Sequence, residues 1–326
     1  MARIAGLRRR PSRDISRVRP RAIAVVCARE SPAFPIVRRA CIDIGSNTTR
    51  LLVADCDGDR LLEVHQERAF THVRRGLTAS GEIRPEKIAE VATIVAAQLQ
   101  AAVELGATDV RGVATAAVRL AGNRDELVAA VRRSSGLEVE ILSAADEARL
   151  AFAGAARTLG YDPLGPLGVV DAGGGSCELV VGTVPDEVSW FASFEIGSGV
   201  IADEFLHSDP PTDEDVTRAR AWVREVLDGV RPPATARVVA VGGSATSLRR
   251  IAGPVLDADA FARTLALLGG ARASELARRF ALDEDRARLL PAGLLILQAA
   301  AELFGAPLEV ANGGLREGLL LEVPHG

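Results

Sequence analysis

The 326-residue chain is poor in aromatic residues and in cysteine. Phe, Trp and Tyr make up 4% of the sequence, and its four cysteines form no C-x-x-C pair. With few aromatic rings, a packed core has to come from Ala, Val, Leu and Ile. Isolated cysteines in strand-like segments are typical of small core residues in a reducing compartment, and they argue against a disulfide framework or a zinc site. We therefore expect a cytoplasmic protein.

Long apolar runs are also missing. No stretch reaches the roughly 18 apolar residues that a membrane helix needs, so we expect no membrane association. Hydrophobic residues make up 48% and charged residues 25% of the chain. This composition is ordinary for a globular protein and excludes global disorder. The length exceeds the roughly 100–200 residues that are common for one domain, and it therefore predicts two domains.

Charge is distributed unevenly along the chain. Residues 1–40 carry eleven arginines and two acids, whereas residues 41–326 carry 28 basic and 41 acidic side chains, a net charge of −13. An acidic body argues against a general nucleic-acid surface, so an anion site has to be built locally. The segment 1–39 could be a targeting signal, a basic tail for an anionic partner or an unfolded extension, and we expect the extension.

From residue 40 onward, one structural pattern occurs twice. ACIDIG and TRLLVADCDG predict two strands joined by a tight polar turn, and a third strand and alternating helices and strands follow. GPLGVVDAGGGSCELVVGTV, residues 165–184, again predicts a strand, an Asp-x-Gly turn and a strand. Two copies of one unit predict two α/β domains of like topology, residues 40–149 and 150–326. Ser143 with an acid three residues later, Asp146, is a capping-box pattern and predicts the start of a helix, and we expect the boundary in or just after that helix.

The two repeated turns, DIGSNT (43–48) and DAGGGS (171–176), are the candidates for chemistry. Successive backbone N–H groups of a glycine-rich turn can point into one hollow, and a phosphate can approach because no Cβ stands in the way. The aspartate before each turn is placed to hold a divalent cation directly or through water. One such turn alone is more often an ordinary β-turn. Their repetition in matching contexts indicates a phosphate site.

Paired Asp-x-Gly hairpins in duplicated α/β domains resemble the actin, sugar-kinase and heat-shock-ATPase superfamily. A more specific resemblance, to the exopolyphosphatase and guanosine pentaphosphate phosphohydrolase (Ppx/GppA) family, covers residues 40–322. It implies duplicated actin-like (ribonuclease H-like) domains, each with a mixed five-stranded sheet flanked by helices, an active cleft between them, and a last helix able to pack back on the first domain. The segments that carry the resemblance are DIGSNTTRLLV, ATAAVRLAGN, ILSAADEARLAFAGA, VVDAGGGSCELV, FLHSDPP, LLPAGLLIL and NGGLREGLLL.

The resemblance also implies roles for individual residues. Glu147 is expected to be the base that activates the attacking water, and Asp171 and Glu178 are expected to bind Mg²⁺ or Mn²⁺ together with Asp43. Without the neighbouring motifs, Glu147 would more often be an acid that favours the helix dipole, and Glu178 a plain strand-surface acid. The expected phosphate-binding residues are Gly45, Ser46, Asn47, Thr48, Arg119, Asn123, Gly173, Gly174, Gly175 and Ser176.

Some positions depart from the family pattern. Val200 stands where an arginine is usual, so one contact to a distal phosphate is expected to be missing. Cys177 stands where threonine is common, so one hydroxyl donor is lost while the thiol fills a similar volume. For His207 we expect packing and capping only. Arg316 matches the family, and its expected role is to fix the last helix against the cleft.

The function predicted from these resemblances is a magnesium-dependent exopolyphosphatase, which releases terminal orthophosphate by direct attack of water. A 5′-phosphohydrolase of guanosine pentaphosphate is an alternative, and so is a weakly catalytic regulator that binds polyphosphate or guanosine tetra- or pentaphosphate. A superfamily kinase of a sugar or small acid is less favoured, because of the residues around Glu147 and the compact length. A homodimer is expected by family analogy.

Overall fold

The computed structural model describes residues 36–322, so the expected extension lies, except for its last four residues, outside the described residues. The strands are β1 (Val37–Ile44), β2 (Thr49–Asp57), β3 (Arg60–Ala69), β4 (Asp109–Ala114), β5 (Val139–Ile141), β6 (Leu167–Ala172), β7 (Cys177–Thr183), β8 (Glu187–Phe194), β9 (Arg237–Val241), β10 (Val255–Leu256) and β11 (Leu308–Val310). The helices are α1 (Pro85–Glu104), α2 (Ala116–Arg119), α3 (Arg124–Ser135), α4 (Ala144–Thr158), α5 (Ser198–Phe205), α6 (Asp213–Val226), α7 (Gly242–Ala252), α8 (Ala258–Gly269), α9 (Ala273–Phe280), α10 (Glu284–Phe304) and α11 (Leu315–Leu321), with a 3₁₀ turn at Arg74–Gly76.

The strands form two mixed sheets of the same design. The first has the order β3-β2-β1-β4-β5 and the second the order β10-β11-β9-β6-β7-β8. In each, three antiparallel strands are followed by parallel ones, as the repeated sequence pattern predicts. The expectation of five strands in each sheet is wrong for the second, which has six. The extra strand, β10, has two residues and pairs with β11 at the sheet edge, and so short a segment gives no alternation to detect.

Strand alternation places a different helical layer on each face of the sheets. On β1, Ala40, Ile42 and Ile44 face the core shared with α1 and α3, whereas Cys41 faces the core shared with α11. On β6, Val170 faces the core of α5 to α10, whereas Val169 faces α4. The layers are therefore helices, first sheet, the α4/α11 pair, second sheet and helices.

The two central helices are in backbone contact. A Cβ on Gly154 of α4 would overlap the carbonyl oxygen of Gly314, and one on Gly318 of α11 would overlap the carbonyl oxygen of Leu150. Arginines from the first sheet and from α4 bind the end of α11: Arg39 donates to the Leu320 carbonyl over 2.9 Å and Arg157 to the Leu321 carbonyl over 2.8 Å. The last helix thus packs on the first sheet, while the division into domains 40–149 and 150–326 stays a prediction.

Helix α10 is the one helix among residues 36–322 whose length and composition would suit a bilayer. Of its apolar window, 67% is buried inside the protein. Its leucines fill the core between α5, α6, α7 and the second sheet, with Leu290 and Leu294 fully buried. We interpret it as the core helix of the second half of the protein, the part built around the second sheet.

Candidate active site

The two predicted turns have the same backbone frame. The amide of Gly45 donates to the carbonyl of Thr48 over 3.0 Å, and the amide of Gly173 donates to that of Ser176 over 3.0 Å. The register of the flanking strands pairs Asp43 with Arg50 in the first hairpin and Asp171 with Glu178 in the second. Residues directly opposite in an antiparallel pair share a face of the sheet. Alternation therefore directs all four side chains toward the layer of α4 and α11.

The turns also contact each other. A Cβ on Gly174 would lie 2.6 Å from the side-chain nitrogen of Asn47, and one on Gly175 would overlap the hydroxyl of Ser46. The missing side chains of the second turn therefore make room for those of the first. This differs from the expected reason for these glycines, which was access for a phosphate. That the turn residues bind phosphate stays a prediction.

Glu147 lies at the start of α4, in the cleft between the turns and α11. The hydroxyl of Ser143 caps the helix by accepting from the amide of Asp146 over 3.1 Å, as the sequence predicts. The side chain of Glu147 is 6% exposed. Burial raises the pKa of Glu147 to about 7, with further upward contributions from Asp43 and Asp171 and opposing ones from Arg119. Near neutral pH this carboxyl can therefore accept a proton.

The other predicted acids line the same cleft, where Glu178 is buried and Asp43 and Asp171 are half-buried. Burial raises the pKa of Asp171 to about 6, and the pKa of Glu178 lies well above its ordinary value because burial and the charges of Glu147 and Asp171 act together. The pKa of Asp43 is raised by burial as well. One oxygen of Glu178 accepts a hydrogen bond from Ser193 over 3.0 Å. All four predicted acids thus line one cleft.

Arg119 stands beside the expected base. Its guanidinium forms an ion pair with Oε1 of Glu147 and donates to the carbonyl of Leu142 over 2.8 Å. It is the last residue of the short helix α2. Arg119 does not line the cleft, so its present contacts orient Glu147 and do not reach toward a phosphate.

Asn123 is not brought to the cleft. Its side-chain oxygen accepts from the amide of Ile83 over 2.8 Å, and its nitrogen donates to the carbonyl of Ile83 over 3.0 Å. Both ends of the amide are therefore occupied in fixing the segment before α1 to the start of α3. This geometry disagrees with the expected contact to phosphate.

The cleft has a volume of about 1490 Å³ and is lined by both turns, by Glu147, Asp171 and Glu178, and by residues of β3, α7, α10 and α11. Sequence reasoning missed three of its arginines, Arg50, Arg68 and Arg286. Arg286 is 4% exposed. Burial and the neighbouring charges of Arg50 and Arg68 lower the pKa of Arg286 to about 9. Its Nε has no hydrogen-bond partner among the described residues. A buried guanidinium close to two other cations indicates a site for an anion.

Gly243, in the first turn of α7, lies against this arginine group. A Cβ there would lie 2.7 Å from Nη2 of Arg50 and 2.8 Å from Nη2 of Arg286. The two glycines that follow β9, Gly242 and Gly243, begin this helix. The sequence could have indicated Arg50 through the repeat. Arg50 lies opposite Asp43 in the first hairpin, as Glu178 lies opposite Asp171 in the second.

The charges around the acids do not balance. Glu317 of α11 joins the four predicted acids, and these five carboxyls face the guanidinium groups of Arg50, Arg119 and Arg316. Oδ1 of Asp43 is buried without a hydrogen-bond partner among the described residues. Oxygen ligands with an excess of negative charge fit Mg²⁺. Within residues 36–322 no group of three His, Cys, Asp or Glu side chains is arranged to hold a metal ion, which disagrees with the expected set of Asp43, Asp171 and Glu178 acting together. A cation here would therefore have fewer than three protein carboxylates and would need ligands from water or substrate.

The remaining expected positions lie as follows. Val200 is buried in α5 at 4% exposure and does not line the cleft. Cys177 is fully buried in the apolar core. His207 is exposed just after α5, which disagrees with the expected packing role. Arg316 lies in the cleft, 3.9 Å from Glu317, so it is placed near the chemistry and not only against the last helix.

Comparison with known proteins gives consistent matches. The Ppx/GppA phosphatase family matches residues 52–325. Exopolyphosphatase 2 of Mycobacterium tuberculosis is 35% identical over 271 residues, which cover 78% of this chain and 84% of that protein. Exopolyphosphatase 1 of Mycobacterium leprae is 29% identical over 306 residues, 87% of this chain and 89% of its own. The crystal structure of a Ppx/GppA family member from Aquifex aeolicus superposes with a TM-score of 0.74 at 30% identity, covering 88% of this chain and 97% of that one.

Proposed function

The chain belongs to the Ppx/GppA phosphatase family, and from this premise we propose that it is a phosphohydrolase that releases terminal orthophosphate from inorganic polyphosphate. The family resemblance inferred from the sequence motifs is thereby confirmed, and so is the duplicated actin-like fold. The observation that carries the proposal is Glu147. It is a buried carboxyl with a raised pKa, in a cleft that also contains the strand-paired acids Asp171 and Glu178 and a group of arginines.

In the proposed reaction, Glu147 is the general base. A water molecule attacks the terminal phosphorus, a new P–O bond forms, and the bridging P–O bond breaks with its electron pair going to the shortened chain. The proton of the water passes to Glu147. Because Arg119 holds Oε1 of this carboxylate, Oε2 is the oxygen that can take the proton. A positioned general base contributes roughly 10²–10⁴-fold to such a step.

We propose Mg²⁺, or Mn²⁺ in its place, as the cofactor. Asp171 and Glu178 would hold it, with Asp43 close by, because their raised pKa values and the unpartnered Oδ1 of Asp43 indicate negative charge that lacks a counterion. Mg²⁺ usually binds through one or two carboxylates and the substrate's phosphates, which agrees with the incomplete set of protein ligands. When bound, the cation neutralises charge on the phosphoryl oxygens.

Polyphosphate is favoured over guanosine pentaphosphate by the lining of the cleft. Among the described residues that line it there is no Phe, Tyr, Trp or His on which a guanine base could stack. Arg50, Arg68 and Arg286 instead offer guanidinium groups, which bind phosphate oxygens and do not depend on a base. The cleft is also larger than the roughly 300–1,000 Å³ of ordinary ligand pockets, so it has room for a chain of phosphates.

The test is phosphate release from long-chain polyphosphate in the presence of Mg²⁺, with Glu147→Gln as the variant. We expect release by the parent, a loss of about 100-fold or more in the variant, and unchanged polyphosphate binding. Asp146→Asn is the matched control, because Asp146 is the exposed neighbour in the same helical turn, and it should retain most of the activity. Equal rates for the parent and Glu147→Gln would exclude the proposed base.

The same assay decides between the other candidates. A higher kcat/KM for guanosine pentaphosphate than for polyphosphate would favour the nucleotide phosphohydrolase. Tight binding of polyphosphate without release, in the parent, would favour the regulator, and transfer of phosphate to an added sugar would favour the kinase. We also propose a cytoplasmic location, which the three unpaired buried cysteines of the described residues support, and a homodimer, which sedimentation would test.

A further inference from the structure

The half of the protein built around the first sheet and the half built around the second sheet are also joined by an ion pair outside the cleft. Arg75, in the 3₁₀ turn that follows β3, donates from Nε over 3.0 Å and from Nη2 over 2.8 Å to Oδ1 of Asp203 on α5. Next to it, Arg74 lies 3.8 Å from Glu204. Neither pair touches the buried acids of the cleft. The family relationship and the proposed mechanism assign these residues no role.

The segment that carries Arg75 is bound to the first turn through its backbone. The amide of His72 donates to the carbonyl of Asn47 over 2.9 Å, and the amide of Arg74 donates to that of Ser46 over 3.1 Å. A buried hydrogen bond between Thr49 and Thr71, 3.1 Å long, fixes the segment to the end of the turn. A movement of Arg75 is therefore transmitted to Ser46 and Asn47.

The helix that carries Asp203 is bound to the second turn in the same way. The amide of Ser198 donates to the carbonyl of Gly173 over 2.9 Å, and the amide of Gly199 donates to that of Gly174 over 3.0 Å. Gly199 also contacts the first turn, because a Cβ there would overlap the amide group of Asn47. Each partner of the ion pair is thus fixed by backbone hydrogen bonds to one of the two turns.

We propose that Arg75 and Asp203 are positioning residues, which hold the two turns together around the reacting phosphate. The proposal rests on the proposed function for its effect on catalysis, but the closure of the two halves can be measured without it. Side-chain exposure is 47% for Arg75 and 27% for Asp203, so the pair is accessible to salt. Exposed pairs change an equilibrium by no more than about fivefold, and a charge reversal adds repulsion to that loss.

The kinetic test is a charge exchange. Arg75→Glu and Asp203→Arg should each lower kcat/KM for polyphosphate by about three- to tenfold at low salt. The double variant Arg75→Glu/Asp203→Arg should recover to within about twofold of the parent. Arg132→Glu is the matched control, because Arg132 pairs with Glu138 over 2.9 Å within the first half, and it should leave kcat/KM unchanged. Added salt should lower the ratio of the kcat/KM of the parent to that of each single variant, independently of its effect on polyphosphate binding.

The structural test measures the distance between the halves. Spin labels are attached at Arg133→Cys on α3 and Arg263→Cys on α8, two exposed positions. The background carries Cys27→Ser, and the remaining cysteines, Cys41, Cys56 and Cys177, are buried and so protected from labelling. We expect pulsed electron paramagnetic resonance to give a longer or broader distance distribution for each single variant and the parent distribution for the double variant.

The outcomes are distinguishable. An unchanged distance distribution in both single variants would overturn the proposal. A changed distribution with unchanged kcat/KM would also overturn it, because the turns would then not depend on the pair. Failure of the double variant to recover, with the same melting temperature as the parent, would have the same meaning. If the parent releases no phosphate, the proposed function fails, and the distance measurement alone decides whether the pair holds the halves together.

Discussion

The hairpin turns of the first and second halves have the same backbone hydrogen bond but carry different side chains. Both close with the same hydrogen bond, from the amide of the third residue of the turn to the carbonyl of the sixth. The first carries Ser46 and Asn47 where the second has Gly174 and Gly175, so the side chains of one fill the empty places of the other.

The strand pairs behind the turns differ in charge. In the first hairpin Asp43 faces Arg50, and in the second Asp171 faces Glu178. An acid–base pair compensates its own charge, whereas in the acid–acid pair the charge of Asp171 raises the pKa of Glu178, so that a proton or a cation is favoured there. The two copies of a duplicated unit can therefore take different roles: the second hairpin is the one proposed to hold the cation, and the first supplies Arg50, one of the arginines proposed to bind phosphate.

The largest expected effect tests whether the second hairpin, and not the first, binds the cation. Glu178→Gln should weaken Mg²⁺ binding and lower phosphate release by about 100-fold or more, since it removes one of the two acids proposed to hold the cation. Arg50→Gln, at the equivalent place of the first hairpin, should change Mg²⁺ affinity by less than about threefold and weaken polyphosphate binding. Calorimetric titration with Mg²⁺ and with polyphosphate separates the two. Equal effects of both variants on the metal would contradict the division.

The pH dependence of stability tests the raised pKa of Glu147 in the cleft. The pKa of Glu147 is raised from 4.5 to about 7. Below pH 4.5 the carboxyl is protonated in both states; as the pH rises toward 7 the unfolded state ionises first, so stability is lost. Relative to Glu147→Gln, the metal-free parent should therefore lose on the order of 3 kcal/mol of unfolding free energy between about pH 4.5 and 8. Urea unfolding at several pH values measures this, and a pH-independent difference would rule out the raised pKa.

The packing of the turns gives a smaller effect. Gly175→Ala places a methyl group against Ser46, and overpacking of this kind costs about 1–3 kcal/mol. Adding Ser46→Gly should recover much of that loss, because the side chain would simply have moved from one turn to the other. Gly122→Ala is the control, since its nearest atom would be 3.7 Å away. Thermal unfolding gives the three values, and an additive double variant would argue against contact between the turns.

The smallest effect concerns the residue after each turn. Thr49 is buried and shares a hydrogen bond of 3.1 Å with Thr71, whereas Cys177 is buried in an apolar core. Thr49→Cys loses the hydrogen bond, and Cys177→Thr buries a hydroxyl in the apolar core, so each should cost about 1 kcal/mol. Activity should change by less than about twofold in Cys177→Thr. A stabilised Cys177→Thr would mean that its hydroxyl finds a partner.

Much of this arrangement could be predicted from the sequence, because it depends on short-range patterns. The repeated Asp-x-Gly turns predicted the two hairpins, and their strand pairing puts Asp171 and Glu178 on one face once the turn closes. The cap at Ser143 predicted the start of α4 and hence the place of Glu147. These features are set by residues within a few positions of each other.

The parts that could not be predicted depend on distant segments. Arg68 and Arg286 reach the cleft from an edge strand and from the start of α10, and no local pattern distinguishes them from surface arginines. The side chain of Asn123 could have faced the cleft, but the backbone of Ile83 occupies it. The reason for Gly174 and Gly175 lies in the opposite turn, far earlier in the chain, so their spacing alone indicated phosphate and not packing.

Helix α11 sets an order of events during synthesis. The inner face of the first sheet, with Cys41 and Leu52, is covered by Leu319 and Leu320, and Arg39 binds a carbonyl group 281 residues further along the chain. At roughly 5–20 residues per second, the ribosome needs tens of seconds to make the intervening chain. The first half therefore emerges with one apolar face uncovered, and it can complete its packing only after α11 has left the exit tunnel.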